Sequence, residues 1–379
     1  MYKSLFLSTL LYFLFSCESE IKVTNESSIP IPVPNNTEEL LSSFISKIEY
    51  FSFPKEASVV KIDKAQIFDD KYFFADYEIS QTISILNTDM SFVANIQKYG
   101  EGPGEYLAIH DFTINRDNKT IDILSFRKLI RYDYQGNFID EFKLPGVITK
   151  IQHINKNTYM AYRPSAINKD LVGPDNISIL WTWNVITNEI IRIPSPVEDV
   201  KIPFFTERNN LNFQDGKILF STNFLDTIYT YSENGEIIRK HFFDGDKEYL
   251  PFDVLTNTKG VLSPEQRKKF YYHHANLLED KNHIVTRIIN DGLFSNIIYY
   301  KEKKESIIFS ELTNDIDDGY KWIMPVILKD GFIISTIEAP YLVEHFENGN
   351  FKEDSHFYDF AKDLTINSPV VLTKYYLKK

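Results

Sequence analysis

The sequence predicts an all-β fold, a six-bladed β-propeller with four-stranded blades, on three observations. A polar turn followed by an apolar strand recurs six times, at residues 69–74, 117–123, 155–160, 214–219, 279–285 and 329–334. A strand, a polar turn and a returning strand alternate strictly with it, most clearly at 132–138, 231–237 and 345–351 and more loosely at 86–92, 183–190 and 300–307. The first returning apolar residues, at 92, 138, 190, 237, 307 and 351, are 46, 52, 47, 70 and 44 residues apart. Two hairpin turns per repeat of this length make four strands, the unit of a propeller blade. The third observation is an aromatic content of 15%, with 30 Phe and 23 Tyr, which suits the broad flat faces on which blades pack.

The elements follow in chain order. Residues 1–16 read as a signal peptide: Lys3, then an apolar run over 5–15 broken only by Ser8 and Thr9. That run is shorter than the ~20 residues needed to span a bilayer. Leu14-Phe15-Ser16-Cys17 resembles the bacterial lipobox, with Phe15 bulkier than the usual residue there, and makes Cys17 the expected lipid attachment point and mature N-terminus. A cleaved secretory signal followed by an incidental cysteine is the alternative. Cys17 is the only cysteine, so no internal disulfide can form. Residues 17–43, with Pro30, Pro32 and Pro34 among Ser, Asn and Glu, are expected to be a flexible tether. Glu18 and Glu20 resemble a surface-export signal. The address implied is the bacterial envelope, anchored in the outer membrane, with the periplasmic side and the cell surface both open.

The propeller is expected to occupy 44–379. Residues 45–53 and 370–377 are strand-like and belong to no complete repeat, so together they are expected to close the ring. One helix is expected between blades four and five, where Ser263-Pro264-Glu265-Gln266 combines a capping serine, a first-turn proline and a glutamine three residues after the cap. Phe270, His274 and Leu277 follow at helical spacing.

Between blades one and two lies Gly100-Glu101-Gly102-Pro103-Gly104-Glu105-Tyr106. Its residues read as a structural turn: glycines allow backbone shapes that other residues resist, and Pro103 stiffens the middle. A phosphate-binding role is disfavoured, since Glu105 would repel an anion and the Gly-Lys-Ser/Thr ending is absent. Following the strand 92–96, this loop resembles the Gly-x-Gly-Pro-Gly-Glu-Tyr signature of six-bladed β-propeller lipoproteins related to NHL-repeat proteins. The resemblance implies an extracytoplasmic binding or scaffold role more readily than a reaction.

In a propeller the links between blades and the connections from second to third strand emerge on one face. The insertions 162–176, which includes Arg163, and 244–266 are expected there with the 100–106 loop, and inserted loops commonly build a binding face. The innermost strands line a central channel; its expected lining includes Asp63, Asp111, His153, Arg208, His274 and Lys321. Asp111, His153, Arg163, Arg208, His274 and Lys321 are the candidate ligand-binding residues. Trp181 and Trp183 alternate and so share one side of a strand, expected to be buried at a blade interface.

No nucleophile elbow, zinc motif or cysteine cluster is present, so no catalytic residues and no metal ligands are assigned. With 53 acidic against 41 basic residues the net charge is −12, which disfavours nucleic acid. The expected function is a lipid-anchored binding module for an envelope protein, peptide or glycan. The alternative is a metal-dependent hydrolase or lyase working in the channel, where a Ca²⁺ ion would have oxygen ligands available. A passive component of an envelope complex would instead carry its apolar patch on the outer blade edges.

Overall fold

The computed structural model describes residues 25–32, 38–163, 179–193, 209–214, 216–258, 261–321, 323–349 and 355–379. They form six antiparallel four-stranded sheets. Blade one runs Lys64–Phe68, Lys71–Asp76, Thr82–Asn87, Phe92–Ile96, and blade two Asp111–Asn115, Thr120–Leu124, Lys128–Tyr132, Phe138–Lys143. Blade three runs Lys150–Asn155, Thr158–Tyr162, Leu180–Asn184, Ile190–Arg192; blade four Leu211–Gln214, Lys217–Phe220, Thr227–Ser232, Ile237–Asp244; blade five Tyr272–Glu279, His283–Asn290, Leu293–Tyr300, Glu305–Phe309. Blade six takes Pro325–Lys329, Phe332–Ile337 and Val371–Leu377 from the end of the chain and Ile45–Ser52 from its beginning. Thr373 pairs with Tyr50 across that seam. The innermost strands neighbour one another in a closed cycle.

The repeats formed because their turn residues tolerate left-handed backbone. Asp69, Asp70, Lys119, Lys156 and Asp330 all have φ between 38° and 56°, in the inner hairpins that the first repeat marks. Apolar residues then fill the gaps between blades. Trp181 and Trp183 are buried with Leu124 and Leu129 between blades two and three, and Phe73 and Tyr132 sit between blades one and two. Leu372 and Phe74 seal blade six to blade one. The aromatic excess is largely this packing.

We call the face carrying the blade-to-blade links and the second-to-third connections the upper face, and the face of the tight hairpins the lower. Two upper-face segments hold helices. Between blades four and five, Phe252–Asn257 and Pro264–Lys269 enclose a small core of Leu250, Leu255, Leu262 and Phe270. The expected capping box is formed: the Ser263 hydroxyl accepts from Gln266 N and the Gln266 side chain accepts from Ser263 N. The helix stops at Lys269, however, and His274 and Leu277 belong to the inner strand of blade five. Their spacing fits that strand's packing, with Leu277 fully buried.

Two further expectations are corrected. Residues 345–351, read as a strand and its return, fall largely in the helix Ala339–Asn348, followed by His356–Ala361. Ala339, Leu342 and Phe346 recur at helical spacing; Ala339 is buried, and Leu342 and Phe346 pack on the core between blades five and six. The blade-six sheet is completed by the two terminal strands instead.

The free tether expected over 17–43 does not hold at 26–30, because Glu26–Pro30 lies parallel on the outer edge of blade four, pairing with Ile237–Asp244. Ile29 and Ile31 are buried between blades four and five, and Ile31 N donates to Asp244 O at 2.6 Å. Proline is tolerated on such an outermost strand, where one row of backbone groups needs no partner. Glu38–Leu40 then pairs with Glu311–Thr313, and the turn Leu41–Phe44 stacks Phe44 on Phe309, ring centroids 5.2 Å apart. Residues 26–32 and 38–44 thus strap the rims of blades four and five.

Candidate functional site

The upper mouth of the channel opens into a cavity of about 510 Å³. Its floor is a chain of amides that crosses three blades. Asn209 Nδ2 donates to Asn276 Oδ1 at 2.8 Å, and Asn276 Nδ2 donates to Pro325 O at 3.1 Å. One wall comes from the segment entering blade one, where Asp63 accepts from Tyr77 N at 2.9 Å and pairs with Lys61 at 3.5 Å. A further wall is Arg287 from blade five, largely buried, with Nη2 3.3 Å from Met324 Sδ and its guanidinium 5.5 Å from the Phe294 ring centroid. His274 meets Phe294 edge-on at 5.1 Å. Glu338, Tyr341 and Tyr320 complete the rim from blade six and the link before it. Burial raises the Tyr320 hydroxyl pKa, and so keeps it a neutral hydrogen-bonding group.

This lining offers aromatic faces, amides and charges of both signs, a set that suits a polar ligand with some apolar surface. Among the described residues, no three His, Cys, Asp or Glu side chains are grouped closely enough to share a metal ion.

Of the sequence-nominated channel residues that are described, Asp63 and His274 line this cavity, and Asp111, His153 and Lys321 do not. Asp111 is fully buried and accepts from Lys64 Nζ at 2.7 Å, Tyr77 OH at 3.0 Å and Ile151 N at 2.9 Å, which clamps blades one, two and three together. His153 is also fully buried, edge-on to Tyr159 at 5.4 Å; burial first, and Arg116 second, push its pKa down to about 4. Arg163 is buried with its guanidinium 4.2 Å from the Trp181 ring centroid. Lys321 is exposed and outside the cavity lining. A shift of one residue in strand register turns a side chain to the other sheet face, which is why Asp111 and His153 were nominated for a channel they do not line. Arg208 and residues 164–178 lie outside the described residues.

Sequence reasoning missed Asn209, Asn276, Arg287, Tyr320, Glu338 and Tyr341. The helical spacing at 339–346 was the available signal for Glu338 and Tyr341. Nothing local marks Arg287, which reaches the mouth from a second strand.

The lower mouth has a cavity of about 410 Å³ in which Arg116 lies 3.4 Å from the Phe213 ring centroid and donates to His153 O at 3.1 Å. Burial lowers its pKa to about 10, so it stays charged at neutral pH. Lys64 Nζ, at the same mouth, is committed to Asp111.

The 100–106 loop is tied down by its own residues. Glu105 folds back so that its carboxylate accepts from Gly102 N at 2.9 Å, and the buried Tyr106 donates to Gln81 O at 2.8 Å. Gly104 has φ +70°, and a Cβ there would stand 2.6 Å from the Phe138 ring, so only glycine fits. The loop joins blade one to blade two.

The upper face carries a further feature. Large apolar side chains are exposed on or beside its connections at Val60, Ile79, Leu107, Phe126, Phe294 and Tyr341. In the lower hairpin turns themselves, among the described residues, Ile186 is comparable, and Phe138, Ile139 and Ile191 are exposed on the outer strands that leave those turns. Phe294 and Tyr341 link this apolar set to the cavity.

Among the described residues no helix is long and apolar enough to cross a membrane. No curated protein sequence matches the chain. Among solved structures, a Bacteroides fragilis NCTC 9343 protein assigned as exported is similar at TM-score 0.74 and 14% identity, over 94% of this chain and 100% of that one. The RRP9 WD40 repeats match at TM-score 0.40 and 7% identity over 82% and 77% of the two chains, and U3-55K at 0.42 and 11% over 87% and 98%. The first likeness supports the fold. The family model described as a domain of unknown function, DUF4934, matches residues 26–375, and the chain belongs to that family.

Proposed function

We propose that the protein is a lipid-anchored, extracytoplasmic binding module that holds an envelope protein, peptide or glycan on its upper face. The observation that carries this reading is the concentration of exposed apolar side chains on upper-face connections around a cavity lined by amides, aromatics and charges. Exposed apolar surface of this kind marks interaction sites more than chance. The exported assignment of the B. fragilis structure supports an extracytoplasmic location, and the lipobox-like residues before Cys17 support the anchor. The 100–106 loop supports kinship with six-bladed lipoproteins related to NHL-repeat proteins, as a structural device of that architecture.

Removing the blade four–five insertion would be a poor test, because Leu250, Leu255 and Phe270 form its core and Tyr249 OH donates to Leu225 O at 2.9 Å. Point substitutions are better. Capture from envelope extracts is expected to lose its specific partner with Phe126→Ser combined with Tyr341→Ala, and to keep it with Ile186→Ser on the lower face. An equal partner set for all three proteins would refute the upper-face assignment.

A further inference from the structure

We infer that the protein stands on its membrane with the lower side of blade four nearest the lipid and the upper face turned away from it. This rests on the lipid anchor at Cys17 and adds to it an orientation.

The outer strand of blade four, Ile237–Asp244, leaves the lower hairpin at 232–236 and ends in the upper link to blade five. It therefore runs from lower to upper face. The strap strand Glu26–Pro30 is parallel to it, with Glu26 beside Lys240 and Pro30 beside Asp244. The chain consequently approaches the propeller from below, at the rim of blade four. That approach is fixed by a built contact. Lys240 N donates to Asn25 O at 3.1 Å, Ser27 Oγ and His241 Nδ1 are 2.6 Å apart, and Ile29 is fully buried between blades four and five.

The reach that remains is short. Eight residues, 18–25, separate Cys17 from Glu26. Nine Cα steps at no more than ~3.6 Å each cover at most ~32 Å. A tether running free to residue 43 would reach roughly three times as far on the same rule and would impose no orientation. The docked strap thus converts an anchor into a mount. Blade one, opposite blade four in the ring, is carried farthest from the lipid, and the upper mouth faces the surrounding medium.

The test uses the lipidated protein in phosphatidylethanolamine and phosphatidylglycerol vesicles containing a headgroup-nitroxide lipid. Because Cys17 is the only native cysteine and its sulfur carries the lipid, an introduced cysteine can be labelled alone. A fluorophore at Asn234→Cys, in the lower hairpin of blade four, is expected to be quenched several-fold more than one at Ile79→Cys, on the upper face of blade one. Both positions are exposed. Inserting a twenty-residue Gly-Ser segment directly before Asn25 is expected to abolish that contrast and leave the melting temperature unchanged. Flotation with the vesicles but equal quenching at the two sites, or stronger quenching at Ile79→Cys, overturns the orientation alone. A contrast that survives the insertion overturns the short mount as its cause. Absence of lipid on Cys17 by intact mass, with no flotation, overturns the anchor and the orientation together.

Discussion

His273 shows how single residues set the acid stability of the ring. It is sealed in blade five between Ser221 Oγ at 2.9 Å and Thr286 Oγ1 at 2.6 Å, and burial pushes its pKa down to about 3. Burial also lowers His241 and His153 to about 4 each. Unfolded, each would titrate near 6.5, so below that pH the unfolded chain binds more protons than the native one. These residues contribute full stability above about pH 6.5 and progressively less as pH falls toward 4. Each contributes a slope of about 1.4 kcal/mol per pH unit in that window. Thermal melts at pH 7.5 and pH 5 are expected to show a clear fall in Tm, and equal values would contradict neutral burial of these rings. The Lys64–Asp111 clamp gives a second expectation. Asp111→Ala strands a buried ammonium and is expected to cost ~3–5 kcal/mol in denaturant unfolding, much of which Lys64→Met in the same chain should recover. No recovery would mean that the clamp matters for something other than charge pairing.

At the scale of elements, the strap and the blade-six helices are where sequence and structure part. The segment around Ile29-Pro30-Ile31 alternates like a strand, but its prolines and short polar flanks resemble a tether, and only the partner edge of blade four decides between them. Such a docking surface cannot be read locally. The helix at 339–348 was misread for a different reason. His345-Phe346-Glu347-Asn348-Gly349 matches the polar turn of the other repeats, while Pro340 and the buried Ala339 and Leu342 mark a helix. The strap's contribution is measurable: Ile29→Ala is expected to cost ~2–5 kcal/mol, as for other fully buried aliphatic truncations. Loss of less than ~1 kcal/mol would show that the strap rests on the blade without supporting it. The Ser263 cap is a smaller device, and Ser263→Ala is expected to cost ~1 kcal/mol, confined to the blade four–five insertion.

For the whole molecule, the ring was legible because polar turns repeat: Asp69, Lys156 and Asp330 take the first, left-handed position of two-residue inner hairpins, and Lys119 the last position of a four-residue one. The mouth was much less legible. Asp63 and His274 were found from the start of their inner strands, but Asp111 and His153, one strand position from usefulness, became buried braces. Arg287 and Tyr341 reach the same cavity from parts of the chain that carry no shared motif. Closure brings them together, and it also gathers the apolar connections onto one face. Amide hydrogen exchange, with and without the captured partner, tests that arrangement most directly. The proposed upper-face binding predicts new protection in the connections at 77–81, 125–127 and 339–348, with the lower hairpins 133–137 and 232–236 unchanged. Protection confined to the lower hairpins would contradict it.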